Sequence, residues 1–125
     1  MKQKNLYILA FKDQSLIKVG VSADIHLRSL ALGSECFDFT RSYVVRSRDQ
    51  PSIVLLERNL KTFFSAHRVA PLQPLSSGNT ETFHSSILPR ILEAIEAFGK
   101  VFLMRSSMLT DIFAPKFRSV VRRPN

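Results

Sequence analysis

Tyr7, Lys18, Arg28 and Glu57 are polar side chains set among the apolar runs of a basic chain, and each type can act on an anionic ester. A carboxylate is the hard oxygen donor that Mg2+ prefers. A guanidinium presents a fixed fork of donors to phosphate and keeps its charge at any working pH. A phenol can take part in proton transfer when a neighbouring cation favours phenolate, and a desolvated ammonium can itself accept a proton. Taken singly, such residues are usually structural: a strand tyrosine packs, a lysine snorkels, and helical arginine and glutamate face water. Only their joint placement can carry a functional argument.

Short apolar and helical segments must supply that placement. Leu6 to Phe11 and Leu16 to Val21 are β-favouring runs separated by the polar Lys12-Asp13-Gln14-Ser15, the pattern of a hairpin carrying Tyr7 and Lys18. Ser22 and Asp24 can cap a helix from about Ala23 to Leu32, in which Ile25, Leu27, Leu30 and Ala31 recur at near-helical spacing and Gly33 provides the stop. Phe37 to Arg46 is aromatic and β-branched, suited to a third strand. Pro51 fits the first turn of a second helix, with Ile53, Leu56, Leu60, Phe63 and Phe64 as its apolar stripe. The stretch from His67 to Ser77 reads as irregular. Apolar residues at 87, 88, 91, 92, 95 and 98 form an amphipathic helix stopped by Gly99. Beyond it, Lys100 to Phe113 is open between helix and strand, and the residues after Pro115 are expected to be mobile.

The 125 residues suit one domain, and 45% hydrophobic content suits an ordinary core. With no apolar run of about 18 residues, a cytoplasmic protein with no membrane partner is expected. Cys36, the single cysteine, cannot form an internal disulfide and is expected to be a small buried hydrophobe. A formal net charge of +8 and a pI near 10.3 favour polyanions, with nucleic acid the leading partner. Much of the excess lies in residues 100–125, where six basic side chains face one acid.

The chain resembles the GIY-YIG nuclease superfamily, in particular its phage-associated branch. Leu6-Tyr7-Ile8 stands for Gly-Ile-Tyr, and Lys18-Val19-Gly20, eleven residues after the tyrosine, stands for the second motif, which in that branch reads Lys-Ile-Gly. Arg28 follows at the place of the helical arginine, and Glu57 in Leu55-Leu56-Glu57-Arg58 at that of the metal-binding glutamate. Gly78-Asn79-Thr80-Glu81-Thr82-Phe83 is similar to the branch's late Gly-x-Thr-Glu-Trp-Phe element, with Thr82 for the tryptophan. The match spans about Leu6 to Phe98. The first motif lacks its glycine.

The resemblance implies an α+β fold: a GIY-YIG-like domain over 1–99, with a three-stranded, mainly antiparallel sheet flanked by helices, and a basic extension over 100–125. It implies a metal-dependent endonuclease acting on nucleic acid, DNA favoured over RNA, with Mg2+ or Mn2+ on Glu57, Arg28 on the phosphate, and Tyr7 as base supported by Lys18. Lys18 as the base is the open alternative. Asn79 is a candidate substrate contact, Glu81 a supporting or structural carboxylate, and Phe83 an anchor in the core. His26, His67 and His84 lack paired metal spacing and take surface or substrate-contact roles. A silent binding module with the same fold is the competing expectation. One such site cuts one strand, so double-strand cleavage calls for a dimer or two encounters.

Lys116, Arg118, Arg122 and Arg123 are expected to grip phosphates outside the site. Deleting residues from Lys116 onward should weaken DNA binding for every sequence and flatten its salt dependence, as read by fluorescence anisotropy across a salt series; an unchanged slope removes the tail from the interface.

Overall fold

The first two strand-like runs are apolar at nearly every position, so both faces of a sheet need covering. The computed structural model describes residues 3–23, 36–71, 81–99 and 101–104. Within them the elements are strands β1 (Asn5–Phe11), β2 (Leu16–Ser22) and β3 (Phe37–Arg46), helix α1 (Gln50–Phe63), a 3-10 turn Ser65–His67, strand β4 (Thr82–His84), a 3-10 turn Ser85–Ile87, helix α2 (Leu88–Phe98) and strand β5 (Phe102–Met104). The fold class is α+β. The expected helix over 23–32, with His26 and Arg28, lies outside the described residues, as do Asn79 and the tail residues Lys116, Arg118, Arg122 and Arg123.

Among the described residues the sheet has five strands, in the order β4-β2-β1-β3-β5, where three were expected. All its pairings are antiparallel. The two added strands are three residues each, too short to show any alternation, and both lie at edges. Strand β5 falls in the segment assigned to the basic extension, so that segment begins as part of the sheet.

Alternation sorts the core into two clusters. Leu6, Ile8, Ile17, Val19 and Val45 face α1 and α2 and pack with Ile53, Leu56, Leu60, Phe64, Ile91 and Ile95. On the opposite face Tyr7, Leu9, Phe11, Leu16, Phe37 and Val44 form a second cluster, with Cys36, half-buried rather than buried, packed against it. Phe63, placed in the buried stripe of α1 by its spacing, is instead 74% exposed. The stripe 53-56-60-64 already fills the face, and Phe63 lies beside it with its ring edge-on to Phe64. Helix α1 starts as its sequence requires, with proline in the first turn and the Ser52 hydroxyl donating to Asp49 Oδ2 at 2.7 Å. Gly99, at φ 75°, ends α2 in the left-handed region where a Cβ is disfavoured. No described helix is long and apolar enough to cross a membrane.

Strands β1 and β3 slip register between Ile8, opposite Tyr43, and Ala10, opposite Asp38. Buried Ser42 repairs the break: its hydroxyl accepts from the Ala10 N–H at 3.0 Å and donates to the Asp38 carbonyl at 2.8 Å. At the mouth of the same bulge the Asp38 carboxyl is pulled down to about 2 by hydrogen bonds from Thr40 and Arg41. Ser42→Ala strips a partner from each of the two backbone groups and should cost about 1–3 kcal/mol in urea unfolding; a cost below about 0.5 kcal/mol would show that the bulge does not depend on the hydroxyl.

Candidate functional site

Antiparallel pairing puts directly opposed residues on the same face of the sheet. Tyr7 lies opposite Gly20 and Leu9 opposite Lys18, so Tyr7 and Lys18 share the face of the second cluster as diagonal neighbours, not a directly opposed pair. On its other side Lys18 lies opposite Thr82 of β4. Both candidate side chains are buried, Tyr7 at 1% exposure and Lys18 at 0%.

Gly20 makes the position of Tyr7 attainable. A Cβ built on Gly20 would come within 2.2 Å of the Tyr7 hydroxyl oxygen and 2.4 Å of the ring carbon that carries it. The phenol therefore lies across the glycine backbone, and any other residue at position 20 would displace it. Sequence reasoning used Gly20 only as a motif letter; its physical role is visible only in the register.

A buried ammonium needs a partner, since desolvating an unpaired charge is costly. Glu81, one residue before β4, supplies it: Lys18 Nζ donates to Glu81 Oε2 at 3.1 Å. The other oxygen of that carboxylate accepts from Lys61 Nζ at 3.0 Å, and Lys61 in turn lies 2.9 Å from Glu57 Oε2. Lys18, Glu81, Lys61 and Glu57 thus form a continuous line of alternating charge from the middle of β2 to the exposed side of α1. Glu57 and Lys61, one helical turn apart, are each 21% exposed, and Glu81 is 31% exposed. Lys18 is closed off from solvent, and the other three members of the line are partly exposed.

The electrostatics follow from these contacts. Burial pushes the Glu81 carboxyl up, but hydrogen bonds from Lys61 and Lys18 outweigh it and hold the group below its ordinary value. Burial alone would lower the Lys61 ammonium; the hydrogen bonds it donates to Glu57 and Glu81 outweigh that and raise it. Both stay ionised through the neutral range.

Of the residues singled out from the sequence, the structure brings Tyr7, Lys18, Glu57 and Glu81 into one region. Glu81 was given a supporting part and is the hub. Lys61 was given none, although its spacing of four from Glu57 on a helix was a readable signal. Phe83 is buried in the core, as expected. His84 is exposed and accepts from the Ser86 N–H, capping a short turn, and His67 lies in the 3-10 turn after α1. Among the described residues no group of three or more His, Cys, Asp or Glu could hold a metal ion. Glu57 and Glu81 nonetheless present carboxylate oxygens to either side of one cation, the donor chemistry that a hard divalent ion takes. No protein-family model, curated protein or solved structure matches the chain.

Gly20→Ala should cost about 1–3 kcal/mol of stability by overpacking against the phenol. In a Tyr7→Ala background the same substitution should cost far less, since the ring is gone. Denaturant unfolding of the four proteins gives the coupling directly, and additive effects would mean that the two residues do not meet.

Proposed function

We propose that this chain is a metal-dependent endonuclease of the GIY-YIG type that hydrolyses nucleic-acid phosphodiesters, with DNA as the favoured substrate. The observation that carries the proposal is the charged line itself: it joins Lys18 of the second motif to the Glu57 carboxylate on α1 through Glu81, with Tyr7 on the same sheet face as Lys18. The basic composition supports the choice of substrate.

Glu57 and Glu81 would hold Mg2+ or Mn2+, which when bound acts as a Lewis acid on the phosphoryl and leaving oxygens. Arg28 is assigned to the phosphate. For the base, the local contacts favour Tyr7 over Lys18. Lys18 is the donor in its bond to Glu81, and a carboxylate at 3.1 Å stabilises the ammonium that a base would have to surrender. Tyr7, a diagonal neighbour on the same face, is thereby left as the candidate base.

A second reading has its own support. Lys61 already neutralises Glu57 and Glu81, and Tyr7 and Lys18 are buried, an arrangement equally suited to a silent nucleic-acid-binding module. Plasmid nicking separates the two. Wild type should nick supercoiled DNA with Mg2+ and stop with EDTA; Tyr7→Phe, Arg28→Ala and Glu57→Ala should each lose at least about 100-fold in rate, with Tyr7→Phe retaining DNA affinity. Wild type that binds DNA yet cuts no faster than these variants establishes the silent module, and full activity in Tyr7→Phe removes Tyr7 from the chemistry.

A further inference from the structure

Lys61 has no part in the reaction outlined above, yet its ammonium is the point where the two carboxylates meet. Glu57 Oε2 lies 2.9 Å and Glu81 Oε1 3.0 Å from Nζ. Two carboxylates this close to a shared point repel each other unless a cation stands between them. Lys18 meets the other oxygen of Glu81 from a fully buried position within the sheet. Lys61 differs from it: its side chain is 21% exposed on the helix surface, and a four-carbon stem lets the ammonium swing into water without moving the backbone.

We infer that Lys61 is a tethered counter-ion occupying the position of the divalent cation, and that metal binds by displacing it from Glu57 and Glu81. This rests on the reading of Glu57 as a metal ligand; it adds Glu81 as the second ligand and Lys61 as the built-in competitor. The exchange changes the charge presented to substrate. With Lys61 in place the two carboxylates and two ammonium groups cancel. With a divalent ion in its place and Lys61 turned outward, the remaining inner groups carry one positive charge, and the released ammonium stands at the rim where a phosphate would approach. Metal entry would thereby prepare the site for an anion, and the carboxylates would never stand without a cation between them.

Calorimetric titration of the full chain with Mn2+, with no nucleic acid present, tests this without relying on turnover. Lys61→Met and Lys61→Gln should each bind Mn2+ about tenfold more tightly than wild type, the factor expected from removing two partly exposed ion pairs that compete with the metal. Lys61→Arg, which keeps the charge, should stay close to wild type. Adding Glu57→Gln or Glu81→Gln to Lys61→Met should abolish the gain. Thermal melts supply a second readout: Mn2+ should raise the Tm of Lys61→Met by more than that of wild type. The inference is overturned if both neutral variants bind Mn2+ no more tightly than wild type, or if the gain survives Glu81→Gln. Its failure alongside Mg2+-dependent nicking by wild type leaves the nuclease proposal intact. Tightened Mn2+ binding by a protein that never cuts DNA leaves this inference standing and removes the nuclease.

Discussion

An ammonium group without solvent exposure stands in the middle of strand β2, and the surrounding structure is arranged to make it tolerable. Lysine at that depth loses its hydration, and the loss has to be offset by a carboxylate with good geometry. Glu81 can reach it only because β4 pairs with β2 at Lys18 opposite Thr82, which brings the preceding residue to the sheet edge. The three-residue strand β4 is thus as much an electrostatic device as a structural one. It is pinned on its outer side as well: the Thr82 hydroxyl donates to the Val69 carbonyl, and the Val69 N–H donates to the Thr82 carbonyl at 3.0 Å.

From that pair the constraint spreads outward. The second oxygen of Glu81 takes Lys61, and Lys61 holds Glu57, so a residue 63 positions away in sequence from Lys18 ties the hairpin to helix α1. The apolar cluster on the helical face presses α1 on the sheet but does not specify which of its polar residues meets the sheet edge. Ion pairs, being directional, do. On the other face the constraint is steric: Gly20 leaves room for the Tyr7 ring, and Tyr7 in turn occupies the sheet beside Lys18. Charge placement and ring placement therefore depend on two positions of strand β2, Lys18 and Gly20, that are two residues apart on one face of the sheet.

Much of the fold was legible in the residues because long elements advertise their period. The hairpin and β3 appear where β-favouring runs place them, and α1 and α2 where helical spacing does. What escaped was short or long-range. The three-residue strands at 82–84 and 102–104 carry no period; from sequence the first reads as loop and the second is open between helix and strand, so the sheet was undercounted. Phe63 satisfies helical spacing but falls beside a stripe already complete with Leu60 and Phe64. For the candidate site, the family resemblance singled out Tyr7, Lys18 and Glu57, but their connection depends on a contact between Lys18 and Glu81, which local pattern cannot show. Lysine in a strand reads as a solvated side chain until its distant partner is known. Gly20 likewise looks like a motif letter until the register lays Tyr7 across it.

The central claim is that the Lys18–Glu81 pair organises both the sheet edge and the charged line to Glu57. A double-mutant cycle of Lys18→Met and Glu81→Gln, read by urea unfolding, tests it most directly. Glu81→Gln takes the carboxylate away from a buried ammonium and Lys18→Met leaves Glu81 with Lys61, whereas the double substitution removes both charges of the pair. The account predicts that the double mutant is more stable than the sum of the single losses allows, by at least about 1.5 kcal/mol. A coupling below about 0.3 kcal/mol would contradict it, because the two groups would then be contributing independently.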